Sequence, residues 1–371
     1  MLVFLQLDRQ MRLKSKIFNK YLLPGFVFQS VIMAGGYATG REIVEFFLTL
    51  GPRSGLLAML ISALVWSIVC LLTFEFARYF KAYDYRTFFK KLLGNGWILF
   101  EMSYLAVIII VLSVIAASSG NIISMTLGLP YNVGVVGLVV YVCFMVFKGT
   151  RAIEIMMSFW SIMLYLVYFV FLTACIINYG PQIKTTFQSV PNEGGWLLNG
   201  IRYAGYNLGL IPAVLFSLTY IQTRKEAVTA GIMAGVVAII PGIFFFIAML
   251  GQYPAVVEQE IPSTFILQQI GSPPLTLIFH VILFGTLIET GTGLIHALNE
   301  RARFYWQEKG LTMPSKVRPI VAFVCLTLAA LIAQFGLSPL IAKGYGTLTW
   351  VIILVYVLPI MSVGLYKLST R

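Results

Sequence analysis

The chain has 371 residues, of which 59% are hydrophobic and only 11% are charged, and its mean hydropathy is +0.89. Soluble globular proteins carry about 25% charged residues, so this composition excludes them and predicts an all-α polytopic membrane protein. The formal net charge is +12, which taken alone would also fit a nucleic-acid-binding protein.

Ten apolar segments are long enough to cross a bilayer. In chain order they lie at 21–50, 54–80, 97–127, 131–147, 154–178, 199–222, 226–250, 275–300, 317–335 and 339–367. In the first 20 residues an apolar run precedes the basic residues, which is the reverse of a cleavable signal peptide. The sequence therefore predicts a basic cytoplasmic segment over 1–20 and a single transmembrane domain over 21–371.

Basic residues alternate from loop to loop, and 21 of the 26 Lys and Arg lie on one side. The other side and the membrane interior hold only Arg41, Arg53, Lys184, Arg202 and Lys343. By the positive-inside rule both termini are cytoplasmic in a multi-pass protein of the cell (plasma or inner) membrane. The positive charge therefore reflects topology, and the expected partners are the lipid bilayer and a small-molecule substrate, with no nucleic acid.

The first segment contains the run MAGGYATG at 33–40, in which three glycines weaken the helix. Unpaired backbone at membrane depth is tolerated only where it lines a cavity or is buried in protein. We interpret the run as a broken helix that binds a substrate, and the alternative is close glycine-mediated helix packing. The candidate binding residues are Gly35, Gly36, Tyr37, Thr39 and Gly40.

Two connections are longer than turns. The cytoplasmic stretch 81–93 mixes aromatic and basic residues, which is typical of an amphipathic helix at the membrane interface. The external stretch 252–274 lacks Lys and Arg and contains a helix-start pattern at 262–264. Its length fits either a lid over an outer opening or an ordinary long loop.

The sixth segment repeats the interruption with the run IRYAGYNLGLIP at 201–212. The two runs are about 170 residues apart, and each lies in the first helix of a five-helix set. Because five is odd, the second set is inverted relative to the first. We therefore predict an inverted repeat (about 21–178 and about 199–367) with interrupted helices 1 and 6, the arrangement that marks a secondary transporter's site. Tyr206, Asn207 and Gly209 are candidate substrate contacts, although Tyr206 and Asn207 could equally cap broken backbone.

Gly40-Arg41-Glu42, Tyr206-Asn207 and Glu289-Thr290-Gly291 carry a family resemblance. With ten segments as five plus five and interrupted helices 1 and 6, the chain resembles the LeuT-type fold of the amino acid–polyamine–organocation superfamily. It is most similar to the YkvI-like bacterial membrane proteins of that superfamily. The resemblance covers about residues 20–369 and implies a transporter, without indicating its substrate.

The two ends of the first break differ in polarity. The helix that resumes near Thr39 points its positive N-terminus into the break, where it favours a carboxylate or another anion. The carbonyl groups that end the first half, at 31–34, suit a small cation. The sequence places no acid within the glycine break itself, which disfavours a simple cationic amine as substrate.

Charged residues flank both breaks on the external side. Arg41 and Glu45 are one turn apart and can pair, and we expect Glu42 or Glu45 to meet Arg202 in an outer gate. In LeuT-like transporters an Arg at the place of Arg41 pairs with an Asp on helix ten, whereas residues 339–343 here contain no acid. A purely structural ion network is the alternative.

Glu289 lies near the middle of the eighth segment and shares a helical face with Thr286 and Thr290. The resemblance implies a Na⁺ site between helix-one carbonyls, including that of Ala34, and hydroxyls of this helix. Oxygen ligands from Thr286 and Thr290 suit Na⁺. A buried Glu289 could equally carry a proton or serve only the structure. The fifth segment lacks the Lys that replaces Na⁺ in some proton-coupled relatives.

Other functions lack their motifs. The four cysteines (Cys70, Cys143, Cys175 and Cys325) fall singly in four segments, so we expect no disulfide and no cofactor apart from Na⁺ as a candidate coupling ion. No nucleotide-binding loop and no hydrolase signature is present, so we expect neither an ATP-driven pump nor an enzyme. The sequence favours an ion-coupled (Na⁺ or H⁺) secondary transporter of an amino acid or a related zwitterion or anion, working by alternating access. The alternative is a membrane receptor or scaffold that binds a ligand without moving it.

Overall fold

The computed structural model describes residues 17–33, 35–148, 150–314 and 316–370, and every regular element in these ranges is a helix. Eight helical stretches in them are long and apolar enough to cross a membrane. Together with two interrupted segments, at 17–50 and 196–221, they correspond to the ten predicted segments. The predicted all-α membrane class is confirmed, whereas the basic segment 1–20 lies almost wholly outside the described residues.

The first set of helices starts with an interrupted segment made of α1 (Leu23–Ile32), α2 (Gly35–Thr39) and α3 (Arg41–Phe46). It continues with α4 (Pro52–Phe80), α5 (Tyr85–Leu93), α6 (Trp97–Leu127), α7 (Tyr131–Lys148) and α8 (Thr150–Ser189). The long helix α8 is kinked at Tyr179, just before Pro181. Proline lacks the N–H that the preceding turn needs, which accounts for the kink.

The second set starts with α9 (Trp196–Leu208), which is followed by 3₁₀ turns at Ile211–Ala213 and Leu215–Tyr220. It continues with α10 (Arg224–Met249), α11 (Pro262–Ile270), α12 (Pro273–Glu308), α13 (Val317–Ile332) and α14 (Leu337–Ser369). Three stretches of α14 are π-helical, at Leu340–Tyr345, Ile353–Val357 and Ile360–Gly364.

The predicted amphipathic helix is α5. Asp84 caps its first turn, and its apolar residues, including Phe88 and Phe89, are buried. On its polar side Arg86 and Lys90 each lie 5.3 Å from the centre of the Trp97 ring. This arrangement suits a membrane interface, where basic side chains cover aromatic surface while their charges reach water.

Helices α4 and α10 each follow the interrupted segment of their set. They cross in close contact at two glycines. A Cβ atom on Gly231 would lie 2.3 Å from Leu71 Cα, and one on Gly235 would lie 2.6 Å from Ser67 N. These glycines are four residues apart, the spacing that lets membrane helices approach backbone to backbone. The crossing joins the two halves of the chain directly behind the first interrupted segment, because α10 also packs against α1 and α3.

Candidate functional site

The first predicted break is present, and it consists of two interruptions. Helix α1 ends at Ile32, and Met33 has a non-helical ψ of 49°. Helix α2 has only five residues and is separated from α3 by Gly40, whose φ of 90° is readily adopted only by glycine. The helix therefore resumes at Gly35 and again at Arg41, and not near Thr39. Ala34, a predicted ion ligand, lies outside the described residues.

The three glycines of this break also permit close packing. A Cβ atom would lie 2.3 Å from Ser118 Oγ at Gly35, 2.4 Å from Glu42 Oε1 at Gly36, and 2.7 Å from Phe245 at Gly40. Close glycine-mediated packing was the alternative to a binding site, and here packing and interruption occur together. The glycines thus bring the broken backbone against α6 and α10.

Polar side chains around the break are turned inward. Tyr37 donates to the carbonyl of Ala238 in α10 (3.3 Å), and Thr39 donates to the carbonyl of Gly36 (3.2 Å). Both side chains are fully buried. Tyr37 and Thr39 therefore hold the short helix α2 in place.

The second break lies in the last part of the predicted run 201–212. Helix α9 continues through Gly205 and Asn207 and ends at Leu208. Gly205 instead packs closely against Ile353 of α14, 2.9 Å from the place of its Cβ. The helix ends because Pro212 has no N–H for the Leu208 carbonyl and its ring would collide with that carbonyl. Gly209 lies at this end, where its N–H bonds to the Tyr206 carbonyl at 3.0 Å.

The two interrupted segments are joined by Tyr206 and Glu42. The Tyr206 hydroxyl donates a hydrogen bond to Glu42 Oε2, and both side chains are buried. The Tyr206 ring stacks on Tyr345 of α14, with centroids 4.3 Å apart, and meets Tyr203 edge to face. A carboxylate in a nest of buried tyrosines thus lies where the two breaks meet. Glu42 Oε1 lies beside Gly36, so an acid that lies outside the glycine break in sequence contacts it in space.

Arg41, one of the residues predicted to form an outer gate, has three partners in the structure. Arg41 pairs with Glu45 at 3.3 Å, as expected from their spacing. Arg41 also donates to the carbonyls of Val257 (2.9 Å) and Gln259 (3.1 Å) in the external connection before α11. These two bonds could not be predicted from the sequence, because their acceptors are backbone oxygens 216 and 218 residues away.

The expected pairing of Arg202 with Glu42 or Glu45 is wrong. Arg202 donates to Asn199 Oδ1 (3.4 Å) within its own helix, while Glu42 faces Tyr206 and Glu45 faces Arg41. Its backbone carbonyl accepts from Thr349 of α14 at 3.2 Å. Similar height in the membrane was the basis for that prediction, but height does not determine the direction in which a side chain points.

Asn207 completes the polar group on α9. Its amide nitrogen donates to the Tyr203 carbonyl at 2.9 Å, one turn earlier, so the side chain does cap local backbone. Its Oδ1 atom is buried and accepts no hydrogen bond. Buried polar atoms are nearly always paired, so an unpaired one marks a place where a ligand or water belongs.

Thr290 links α12 to the end of α1. Its hydroxyl is 2.7 Å from the Ser30 carbonyl and 3.1 Å from the Thr286 carbonyl. Ser30 is one of the last four residues of α1, whose carbonyls lose their helical partners at a helix end. Thr286 donates only to Ile282 in its own helix (2.7 Å), and Glu289 is fully buried. Thr290, and not Thr286, is therefore the hydroxyl that joins α12 to the last turn of α1.

Replacing Thr290 with Val is expected to lower the free energy of unfolding by about 1 kcal/mol, because the bond to the Ser30 carbonyl across two membrane helices is lost. Thr286→Val removes a bond within one helix and is the matched control, with a smaller expected loss. Equilibrium unfolding of both purified variants in one detergent measures the difference. Equal losses would contradict the linking role of Thr290.

Comparison with known proteins gives few relatives in sequence and many in fold. No protein-family model matches the chain. The uncharacterized membrane protein YkvI of Bacillus subtilis is similar to it, with 23% identity over 324 residues that cover 86% of this chain and 89% of that protein. The similarity therefore runs over nearly the whole length of both chains.

Three solved structures share the architecture. A Na⁺-coupled sialic acid symporter superposes with a TM-score of 0.66 at 14% identity, covering 90% of this chain and 78% of its own. MhsT in complex with L-phenylalanine gives 0.59 at 18% identity, with 92% and 86% covered. The Eremococcus coleocola manganese transporter gives 0.55 at 17% identity, with 94% and 79% covered. The chain has the LeuT-type transporter fold that its sequence predicts.

Proposed function

We propose that this protein is an ion-coupled secondary transporter that moves a small solute by alternating access between the two interrupted segments. The observation that carries the proposal is the meeting of the two breaks at Glu42 and Tyr206, deep inside the bundle. Irregular backbone, glycines and unpaired polar atoms come together there, as is typical of a transporter's central site. The likeness in fold to a symporter and a manganese transporter supports the same function.

The proposed substrate is an amino acid or a related zwitterion or anion. It would lie between Gly35–Thr39 and the end of α9, in contact with Tyr206, Asn207 and Gly209. All of these residues are buried, so the structure is a closed form and the site has to open for a solute to enter.

The proposed path has an outer and an inner end. On the outside, the bonds from Arg41 to the carbonyls of Val257 and Gln259 fasten the external connection over α3 and have to part. On the inside, a cavity of about 160 Å³ lies between the 3₁₀ turns and α12, lined by Pro212, Phe216 and His296 among others. This cavity begins directly below the second break, and the positive-inside rule puts it on the cytoplasmic side.

Either Na⁺ or H⁺ is proposed as the driving ion. The junction of Thr290 with the Ser30 carbonyl provides oxygen ligands of the kind that Na⁺ prefers. Glu289, one residue earlier and fully buried, provides a carboxylate for either ion. A symporter of the same fold uses Na⁺, which favours that ion.

Uptake in proteoliposomes tests the proposal. The purified protein is reconstituted and offered radiolabelled amino acids with an inward Na⁺ gradient, an inward proton gradient or no gradient. We expect at least one compound to accumulate above its external concentration with one of the two gradients. The substrate is then the compound with the highest gradient-driven accumulation.

The receptor hypothesis predicts a different result from the same preparation. A compound that raises the unfolding temperature but accumulates under neither gradient would be bound without being moved. That outcome would contradict the transporter proposal and favour a receptor or scaffold.

A further inference from the structure

Glu42 is a buried carboxylate without a cationic partner among the described residues. Its relative exposure is 1%, and the Tyr206 hydroxyl donates a hydrogen bond to its Oε2. The neighbouring Arg41 is directed to Glu45 and to the carbonyls of the external connection. Arg202, the other cation at this height, is directed to Asn199. A carboxylate buried in this way is costly unless a positive group neutralises it.

The unpaired oxygen of Glu42 lies at the glycine break. Oε1 accepts no hydrogen bond and is 2.4 Å from the place that a Cβ atom on Gly36 would occupy. Only a glycine leaves room for the carboxylate there. The oxygen therefore occupies the junction between α2, α3 and α9, where the proposed function places the solute.

The atoms left unpaired around this junction indicate what is missing. Glu42 Oε1 and Asn207 Oδ1 are both acceptors without a hydrogen bond, and the buried hydroxyls of Tyr203 and Tyr345, which can donate or accept, have none either. Acceptors call for a donor, and an ammonium group supplies up to three N–H donors together with a positive charge. The aromatic rings of the surrounding tyrosines also favour a cation over an anion.

The N-terminus of α2, at the other end of the break, stabilises an anion less than the sequence predicts. Helix α2 has only five residues, and the helix after it begins at a separate interruption. Helix-dipole effects arise from aligned peptide groups, so such a short helix has little to offer an anion at its N-terminus. The carboxylate of Glu42 also lies beside Gly36, where it repels a second negative group.

We infer that Glu42 binds the ammonium group of the solute, so that this protein recognises amines and amino acids and rejects the corresponding acids that lack the amine. In the closed form the Tyr206 hydroxyl holds the carboxylate. In the loaded form the ammonium group takes the place at Oε1 and neutralises the charge. This inference rests on the proposed function for the location of the solute and narrows its chemical class.

Binding to the full chain in lipid nanodiscs tests the inference. The probes are matched sets: each common L-amino acid, the amine that remains when its carboxylate is removed, and the acid that remains when its amino group is removed. We expect at least one amino acid to bind, its amine to bind measurably, and its deaminated acid to bind about tenfold more weakly or worse. A deaminated acid that binds as tightly as its parent, or a panel in which no amine-bearing compound binds, overturns the assignment.

Glu42→Gln separates the charge from the shape of the side chain. The amide still accepts the hydrogen bond from Tyr206 but carries no charge. We expect the affinity for the amino acid to fall about tenfold or more, with no fall for the deaminated acid. Glu193→Gln, the same change at an exposed residue of the connection before α9, is the control and should leave both affinities unchanged. An unchanged preference for amines in Glu42→Gln overturns the assignment, and the selectivity of the wild-type protein tests it even if this variant does not fold.

The coupling ion is the other cation that could neutralise Glu42. Repeating the titrations across a series of Na⁺ concentrations and pH values distinguishes the two sources. If Glu42→Gln alters the dependence on Na⁺ or pH but keeps the preference for amines, the carboxylate serves the ion and the inference fails. Amine-selective binding without gradient-driven uptake would contradict the proposed transport and leave this assignment standing. Gradient-driven uptake of a deaminated acid would support the proposed transport and overturn this assignment.

Discussion

Replacing Glu289 with Gln is expected to abolish gradient-driven accumulation of the solute while leaving the protein folded. The side chain is fully buried in α12, one residue before the hydroxyl that faces α1. The amide has nearly the same shape but neither the charge that attracts Na⁺ nor the ability to carry a proton. Loss of a charged partner costs about 1.5–3 kcal/mol, which corresponds to about a tenfold loss or more in ion affinity.

The measurement is uptake in proteoliposomes under an imposed Na⁺ gradient and, separately, under a proton gradient. Which gradient the wild-type protein uses, and the variant no longer uses, identifies the ion. Glu193→Gln removes an exposed carboxylate and serves as the control, with uptake expected at the wild-type level. Wild-type accumulation in Glu289→Gln would defeat the coupling role and leave Glu289 a structural residue.

Replacing Gly231 with Ala is expected to cause a large loss of stability. The added methyl group would lie 2.3 Å from Leu71 Cα and 2.4 Å from Leu71 N. Both are backbone atoms, so no side-chain rotation relieves the overlap and helices α4 and α10 have to separate. Overpacking of this kind costs about 1–3 kcal/mol.

Gly137→Ala in α7 is the matched control, because no atom lies within 4 Å of the place of its Cβ. Alanine is a better helix former than glycine, so this variant is expected to be neutral or slightly stabilised. Unfolding midpoints of both variants in the same detergent provide the comparison. If Gly231→Ala unfolds at the wild-type midpoint, the contact between α4 and α10 is looser than the structure has it.

The interruption of the first segment could be predicted because its cause is local. Gly40 adopts a positive φ that other residues avoid, and the cluster of glycines in the sequence indicates such a position. In the sixth segment the predicted run 201–212 contains the break, but its glycines do not determine where the helix ends. The decisive residue was Pro212, whose missing N–H ends the helix four residues earlier, at Leu208. The four-residue spacing of Gly231 and Gly235 is likewise a local feature of the sequence.

Side-chain partners in the site could not be predicted in the same way. Residues Arg41 and Glu45 pair because a helix puts them one turn apart, which is a local rule. Whether Glu42 faces Arg202 or Tyr206 depends on how two distant helices rotate against each other. Tyr345 belongs to a third helix and lies more than 130 residues from Tyr206 in sequence, yet the two rings stack. Nothing in the local pattern of either residue indicates that contact.

The guanidinium group of Arg41 binds the external connection through two main-chain carbonyl oxygens, those of Val257 and Gln259. The residues of this connection can therefore change during evolution without weakening the two bonds, as long as its backbone keeps the same path. Arg41 itself cannot change in this way. Its planar guanidinium group binds two carbonyl oxygens and the Glu45 carboxylate at once, whereas a lysine ammonium group is a single point charge. The sequence of the external connection can therefore vary, whereas Arg41 has to be kept.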